Sequence, residues 1–272
     1  MNCLNKEFQK SVDELLTSGK KASTEAKPKI QRVPAILRGQ KDSDSDKYYE
    51  PRWMSIGPIH HANPKFELAE KYKLELAAKF IRDGGHASWK DFYNAKKVEL
   101  RGLKDCFDKE IADKYDGEGD TDDLSLILFF DGCATLQFIH SCCSEGRYHE
   151  LKEMKMKNDL VAFTTHDLFL LENQIPYQVL ALLIRDRQDT AKLKDSIVAF
   201  IIRNIMAPGS YQEDIKAVSL DPEPAHLLDL LLSALIRKTG KKNPTAEGTD
   251  PQQSSSTTTN SVLTGTTNLL MS

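Results

Sequence analysis

A proline inside an apolar stretch constrains the fold of this chain more than any other sequence feature. Residues 167–180 read DLFLLENQIPYQVL, so a polar triplet at 172–174 interrupts the apolar residues shortly before Pro176. A proline disfavours the α conformation at the preceding residue, and its ring clashes with a carbonyl one helical turn earlier. We therefore predict that a helix arriving from Asp159 ends or kinks near Asn173. A second helix is expected to begin with Pro176 as its first residue.

The polar triplet lies where the end of a helix leaves backbone N–H and C=O groups unpaired. Glu172, Asn173 and Gln174 carry the acceptors and donors that such groups require. This position favours a structural role, in which the three side chains hold the break between two buried helices. The alternative is a polar enzyme site formed by Asp131, Glu172 and Asn173, with Asp167 brought near by tertiary packing.

Helical periodicity accounts for most of the remaining chain. Apolar residues recur at helical spacing in five further stretches, which we predict to be helices: 66–83, a long helix from Ser88 to Tyr115, 121–139, 191–205, and a last helix that begins at Pro224. No run of alternating strands is found. The sequence therefore predicts an all-α fold that consists of a single irregular helical domain.

Two stretches before the first long helix are apolar but too rich in proline to form regular helices. Pro34 interrupts residues 30–38, and Pro51 and Pro58 interrupt residues 48–61. Their aromatic and aliphatic side chains still need burial. We therefore expect extended N-terminal segments that pack on the helices.

The predicted helix at 121–139 is apolar nearly all round, so we expect it to be the central helix of the domain. Asp131 and Gly132 conflict with its apolar character. A glycine in a helix interior costs about 1 kcal/mol relative to alanine, and a buried carboxylate needs hydrogen-bond donors. We predict that Gly132 marks the close approach of another helix and that Asp131 binds a neighbouring backbone.

Composition divides the chain into an arm (1–29), a helical domain (30–239) and a Ser/Thr-rich tail (240–272). The arm contains a short amphipathic helix at 4–18. Residues 1–41 hold nine Lys/Arg and four acids, so their local charge is nine minus four, or +5. We expect a flexible basic arm that is able to contact an anionic membrane surface. The tail lacks a periodic apolar pattern and is predicted to be disordered.

Overall charge and cysteine usage limit the compartment and the partners. The net charge of −3 excludes nucleic acid as the default partner. The five scattered cysteines indicate reduced thiols, with acylation of Cys142–Cys143 near a membrane as the alternative. The chain shows neither an apolar secretory core nor an uninterrupted apolar run of the ~20 residues that span a bilayer. We therefore expect a cytoplasmic protein.

Signatures of catalysis and of cofactor binding are missing from the sequence. Glycine patterns that bind phosphates or dinucleotides do not occur, and neither does a nucleophile elbow or a zinc-protease histidine pattern. Two acidic clusters, at 42–46 and 116–120, lack the glycine and the final glutamate of a calcium loop. His60 and His61 have no nearby acid or cysteine to complete a metal site. We predict no cofactor, no metal and no enzymatic activity.

Several short segments, in one order along residues 30–236, carry a family resemblance. They are Arg32-Val-Pro with Leu37-Arg38, Tyr49-x-Pro51 with Ser55-Ile-Gly-Pro-x-His60, Asp131-Gly-Cys133, Asp167-Leu-x-Leu-Leu-Glu-Asn-Gln-Ile-Pro176, and Pro224-x-His226-Leu-Leu. On these segments the chain resembles the plant "domain of unknown function 247" family. The motif residues carried over are Asp131, Gly132, Asp167, Glu172, Asn173, Gln174 and Pro176.

The resemblance implies a plant protein with a largely helical domain and without an established enzymatic activity. Some grass members of the family are implicated as pollen-side determinants of self-incompatibility, which points to recognition. Full-length members resemble plasma-membrane proteins that end in a membrane-spanning helix, whereas this chain enters its Ser/Thr-rich tail after Leu235. It therefore resembles a shortened member. We expect a non-catalytic recognition protein that binds another protein.

Overall fold

The computed structural model describes residues 10, 29–38, 46–115, 124–144, 146–205, 218 and 220–239. Within these residues the chain forms helices and irregular segments, and the only β pairing is an isolated bridge between Ile30 and Phe107. The predicted all-α class is confirmed. The amphipathic helix expected at 4–18, apart from residue 10, and the tail expected from residue 240 lie outside the described residues.

Eleven α-helices are found in the described residues. In order they are α1 (Ala35–Arg38), α2 (Asp46–Tyr49), α3 (Glu67–Asp83), α4 (Trp89–Gly102), α5 (Lys109–Lys114), α6 (Leu124–Cys143), α7 (Tyr148–Glu153), α8 (Asn158–Asp167), α9 (Tyr177–Ile184), α10 (Thr190–Asn204) and α11 (Leu227–Thr239). Helices α3 and α10 confirm the predictions at 66–83 and 191–205.

Helix α6 is the centre of the domain, as its apolar composition predicts. Of its 20 residues, 16 are buried, and it packs against α3, α4, α7, α9 and α10. By length and composition α6 could also cross a membrane, but 78% of its most apolar window is buried by the rest of the fold. Its place in the fold is therefore that of the core helix.

Gly132 in α6 marks the closest approach of α9. A Cβ atom at this position would lie 2.6 Å from Leu183 Cδ1 and 2.7 Å from Val179 Cγ1. Real carbon atoms do not come so close, so a side chain here would push the two helices apart. The prediction that Gly132 permits close helix packing is confirmed.

The single long helix predicted from Ser88 to Tyr115 is wrong. Ser88 does cap α4, since its Oγ accepts a hydrogen bond from the Asp91 N–H at 3.3 Å. The chain then leaves the helix after Gly102 and becomes extended at Phe107. The cause is tertiary, because Ile30 donates to Cys106 O and accepts from Asp108 N at 2.8 and 2.9 Å. Helical periodicity alone does not reveal this pairing with a segment from a distant part of the chain.

A break between two helices lies before Pro176, as predicted, but the first helix ends earlier than predicted. Helix α8 ends at Asp167 rather than near Asn173, and residues 168–176 form an irregular connection. Pro176 precedes α9 as its N-cap residue, so the helix begins at Tyr177, one position after the predicted start. The sequence signal therefore located the second helix to within one residue.

The last helix begins at Leu227, three residues after the predicted start at Pro224. The carbonyl of Ala225 accepts a hydrogen bond from the Tyr177 N–H at 2.9 Å. The Ala225 N–H donates to Asp229 Oδ2 at 2.8 Å, so a side chain within the first turn satisfies it. These two bonds hold the residues before Leu227 outside the helix.

The expected extended segments pack on the helices. Residues 51–60 follow an irregular path and are almost entirely buried, with Met54, Ile56 and Ile59 in the core. Residues 29–38 are more exposed. Only Ile30 and Val33 are buried there, and the single turn α1 is exposed along most of its length.

Candidate functional site

The extended segment, residues 51–60, needs hydrogen-bond partners from other parts of the chain. It lies in the core but belongs to no helix, so its N–H and C=O groups lack the regular partners that a helix provides. A buried backbone group without a partner costs about 1–3 kcal/mol. Four polar side chains, Lys73, Asp131, Asp167 and Asn173, bind its backbone between residues 52 and 57. Carbonyls at its two ends accept hydrogen bonds from Lys65, Tyr115 and Arg32.

Asp167, the last residue of α8, binds the start of the extended segment through a fully buried carboxylate. Its Oδ1 accepts a hydrogen bond from the Arg52 N–H at 2.9 Å. Its Oδ2 accepts from the N–H groups of Trp53 and Met54 at 2.8 and 2.9 Å. Three successive N–H groups thus converge on one carboxylate. These charge-assisted bonds offset the cost of burying the negative charge.

Asn173 binds the middle of the same segment through both ends of its amide. Its Oδ1 accepts from the Ile56 N–H at 2.7 Å, and its Nδ2 donates to Met54 O at 3.0 Å. Nδ2 also donates its second hydrogen to Asp167 O, at an N···O distance of 2.9 Å. An aspartate or an alanine at this position would lack both donors, so only an amide satisfies this arrangement.

Asp131 of α6 holds the end of the segment together with Lys73 of α3. Asp131 Oδ2 accepts from the Gly57 N–H at 2.7 Å, and its Oδ1 lies 2.7 Å from Lys73 Nζ. The same Nζ donates to Ser55 O at 3.0 Å and lies 2.8 Å from Glu70 Oε1. Burial by itself lowers the pKa of Lys73, but the two carboxylates more than offset this and raise it. Lys73 is therefore charged and pairs with Asp131.

The backbone conformation at position 57 requires a glycine, at the point where the extended segment contacts residues 172–174. Its φ of +79° lies in the left-handed region that favours glycine. A Cβ there would also lie 2.4 Å from the carbonyl oxygen of Gln174. The segment therefore packs directly against the backbone of the triplet, with no room for a side chain between them.

Glu172 faces the other extended segment, residues 29–38. Its Oε1 accepts from the Val33 N–H at 2.6 Å and pairs with the guanidinium of Arg38. Its Oε2 lies 3.4 Å from His60 Nε2, which is within ion-pair distance but lacks hydrogen-bond geometry. Burial raises the pKa of Glu172, but the contacts with His60, Val33 and Arg38 outweigh it and lower the pKa to about 2. The carboxylate is therefore ionised at neutral pH.

Gln174 closes the connection between α8 and α9. Its Nε2 donates to Leu168 O and to Leu170 O, both at 2.8 Å. Its Oε1 accepts from the Leu228 N–H in the first turn of α11 at 3.3 Å. Leu168 O and the Leu228 N–H lie at helix ends, which leave such groups without an intrahelical partner, whereas Leu170 O lies in the irregular connection. Gln174 therefore joins the break before Pro176 to the last described helix.

The structure separates the residues of the suggested enzyme site. Asp131 and Asn173 bind neighbouring positions of the extended segment, whereas Glu172 binds residues 29–38. We refer to Asp131, Asp167, Glu172, Asn173 and Gln174 as the polar motif. Each of these residues is at most 2% exposed. A cleft of about 650 Å³ between α4, α9 and α10 is lined by other residues. The motif thus directs its polar atoms toward the chain's own backbone.

Sequence reasoning missed three partners of the motif, namely Lys73, Arg38 and His60. Lys73 had a signal, because it lies on the buried stripe of α3 beside Ala69 and Leu76, where a lysine needs a buried acid. Arg38 and His60 belong to segments that carry the family resemblance, but no local pattern pairs them with Glu172, since both lie far from it along the chain. His60 lies beside Glu172 rather than in a set of metal ligands.

Metal ligands and reactive thiols do not form a site in the described part of the chain. No group of three His, Cys, Asp or Glu side chains there is arranged to hold a metal ion. Burial raises the pKa of the Cys133 and Cys143 thiols and raises that of Cys142 to about 12. At neutral pH these cysteines are therefore protonated and poorly nucleophilic.

Comparisons with known proteins give one family and two relatives. A family model described as a plant protein of unknown function, DUF247, matches residues 30–269. UPF0481 protein At3g47200 of Arabidopsis thaliana is 28% identical over 202 residues, which are 72% of this chain and 40% of that protein. Putative UPF0481 protein At3g02645 of the same plant is 24% identical over 214 residues, 76% of this chain and 37% of that protein. The chain thus spans about two fifths of these relatives, and no solved structure matches it.

Proposed function

Because this chain belongs to the DUF247 family of plant proteins of unknown function, we propose that it is a non-catalytic recognition protein that binds another protein through its helical surface. The observation that carries the proposal is the use of the polar motif inside the fold. Asp131, Asp167, Asn173 and Gln174 are buried, and their hydrogen bonds go to backbone groups of this chain. The polar side chains that would be the candidates for catalysis therefore stabilise the fold.

The helical surface offers the groups that a protein partner can contact. Large apolar side chains are exposed on several helices, among them Leu68 and Leu74 on α3 and Val98 on α4. Removal of exposed apolar surface from water is the dominant favourable contribution in most protein–protein association. The self-incompatibility role that the resemblance suggests would use such a surface to discriminate between partners.

The alternative function, an uncharacterised enzyme, is favoured by one observation. Glu172 Oε2 and His60 Nε2 face each other at 3.4 Å, and neither atom has a hydrogen bond. A carboxylate and an imidazole side by side are a pair of groups used in general acid–base catalysis, once a hydrogen bond joins them. Both side chains are buried, at 0% and 8% exposure, which is why we rank this function second.

We further propose a cytoplasmic location, a protein partner rather than nucleic acid, and peripheral membrane contact through the basic segment 1–41. The local charge of +5 supports attraction to anionic lipid. Sedimentation with vesicles of phosphatidylserine and phosphatidylcholine tests this contact. We expect binding that salt weakens, and binding that persists in high salt and on neutral vesicles would contradict an electrostatic origin.

Partner capture combined with surface substitutions tests the recognition function. The full chain is used to capture proteins from plant tissue, and the affinity of a reproducible partner is then measured. We expect one of the variants Leu68→Glu, Leu74→Glu or Val98→Glu to weaken binding at least about 10-fold without changing the melting temperature. Glu172→Gln is the control for the enzyme hypothesis. A substrate turnover that disappears in Glu172→Gln while the protein stays folded would replace our proposal with the alternative.

A further inference from the structure

The segment of residues 29–38, which we call the strap, buries little of its own surface against the domain. Ile30 and Val33 are buried, whereas the single turn α1 within the strap has no buried residue. Ile36 and Leu37 of α1 are 88% and 67% exposed. A segment with few buried apolar contacts opens at a lower free energy than the core around it. The strap is therefore the part of the described chain that is most easily detached from the rest.

The strap is bound in the way that proteins bind an extended peptide. The Ile30 N–H donates to Cys106 O at 2.8 Å, and Ile30 O accepts from the Asp108 N–H at 2.9 Å. The guanidinium of Arg32 donates to Ile59 O at 2.9 Å. Main-chain hydrogen bonds to an extended segment supply affinity in this mode of recognition, and buried side chains supply specificity.

The surface beneath the strap contains a buried negative charge. We refer to this surface as the groove, which is formed by residues 59–60, 106–108 and 172. Glu172 Oε1 accepts from the Val33 N–H at 2.6 Å and pairs with the guanidinium of Arg38. Glu172 Oε2 and His60 Nε2 are buried beside it without a hydrogen bond. A buried carboxylate that loses its cation is strongly destabilised, so a ligand that fills the groove must bring a positive charge.

We propose that the strap is displaceable, and that the groove beneath it binds an extended segment of a partner protein in which an apolar residue is followed five positions later by an arginine. The strap itself shows this pattern, since Val33 and Arg38 are five positions apart and both bind Glu172. A partner segment with the same pattern makes the same bonds in place of the strap. The strap lowers the apparent affinity for the partner, because only molecules with an open groove can bind it.

The inference goes beyond the proposed recognition function, which uses the exposed surface of the helices. The positions substituted to test that function, Leu68, Leu74 and Val98, are not part of the groove. A strap that never opens would leave the partner-capture experiment unaffected. Capture of no partner would likewise leave the opening of the strap unaffected, so the two proposals fail separately.

Hydrogen exchange of the wild-type chain tests whether the strap opens by itself. The amides of Ile30 and Val33 bind the groove, whereas those of Met54 and Ile56 are bound by buried side chains of the core. After correction for intrinsic exchange rates, we expect the two strap amides to exchange at least about 100-fold faster than the two core amides. Equal protection of all four would overturn the proposal, because the strap would then open only when the whole domain unfolds.

Binding of a synthetic peptide to the full chain tests the groove. A fluorescein-labelled peptide of residues 29–38 is titrated with each chain, and fluorescence anisotropy gives its dissociation constant. Val33→Asp removes an apolar anchor of the strap and brings a second carboxylate beside Glu172, so it frees the groove. We expect Val33→Asp to bind the peptide at least about 10-fold more tightly than the wild type does. Ile36→Asp, a matched control at an 88% exposed position of the strap, should bind it like the wild type.

A second peptide tests the need for the arginine. The peptide with Arg38→Ala should bind the Val33→Asp chain at least about 10-fold more weakly, because Glu172 then lacks its cation. Equal binding of the two peptides would overturn the proposed partner chemistry.

Three other outcomes would overturn the proposal. In the first, the Val33→Asp chain is folded by circular dichroism but binds the peptide no better than Ile36→Asp does. In the second, Val33→Asp does not fold, which would make the strap an integral part of the core. In the third, sedimentation shows a wild-type dimer that Val33→Asp converts to a monomer, which would assign the groove to the strap of a second copy.

Discussion

Replacing Asp167 with asparagine is the sharpest test of the polar motif, because the two side chains have the same shape. The carboxylate accepts three backbone N–H groups, from Arg52, Trp53 and Met54. In the variant one oxygen becomes an NH₂ group, which cannot accept and instead faces an N–H. Even in its better orientation, Asp167→Asn therefore loses one bond to a charged group and leaves one buried donor unpaired.

The expected loss is a large part of the stability of the domain. One hydrogen bond to a charged group contributes about 1.5–3 kcal/mol, and an unpaired buried donor costs about 1–3 kcal/mol. We therefore expect Asp167→Asn to lower the free energy of unfolding by about 2.5–6 kcal/mol, from a total of roughly 5–15 kcal/mol. For a chain of this size the melting temperature should fall by roughly 10 °C.

Urea unfolding followed by circular dichroism measures this loss, with Asp159→Asn as the control. Asp159 lies on the same helix, and its side chain is exposed. Its replacement should cost less than about 1 kcal/mol. Hydrogen exchange adds a local readout, since the amides of residues 52–54 should exchange faster in Asp167→Asn. If the two variants unfold alike and exchange at 52–54 is unchanged, the reasoning about the motif is refuted.

Three further predictions concern the same region. Gly57→Ala should lower the melting temperature by several degrees in thermal scans, because its Cβ would meet the carbonyl of Gln174 at 2.4 Å; an unchanged value would contradict the close contact. Gly132→Ala should cost about 1–3 kcal/mol in urea, because its Cβ would clash with Leu183; a stabilised variant would show that α9 can move away freely. Glu172 has a pKa lowered to about 2 from 4.5, so its stabilisation is present above pH 4.5 and disappears toward pH 2. The stability difference between wild type and Glu172→Gln should therefore shrink by at most about 3 kcal/mol over that range, and a constant difference would contradict the lowered pKa.

The motif shows how buried charges can be accommodated in a core. Asp131, Asp167 and Glu172 are all buried, and each carboxylate binds at least one backbone N–H. Removing one partner of such a group costs several kcal/mol, whereas the intact arrangement is close to neutral in stability. We therefore expect its main effect to be specificity, because the observed register is the one in which these bonds form.

The sequence by itself determined the helical class and several local features. Apolar periodicity predicted α3, α10 and the central position of α6, because a helix face repeats every 3.6 residues regardless of its surroundings. Pro176 predicted the start of α9 to within one residue, because its ring restricts the chain locally. Gly132 predicted a close approach, because a glycine inside an apolar helix lowers its stability and is best accounted for by a neighbouring helix that needs the space.

Only the tertiary structure decided where the polar atoms go. Asp167 and Met54 are 113 residues apart, and Glu172 and Val33 are 139 apart. No local pattern joins positions so distant, and the same motif residues are compatible with an exposed site or an internal one. The end of α4 and the bend at Phe107 were likewise set by Ile30, from a different part of the chain. Periodicity reports which face of a helix is buried, whereas the partner of a buried polar group depends on which distant backbone lies unpaired beside it.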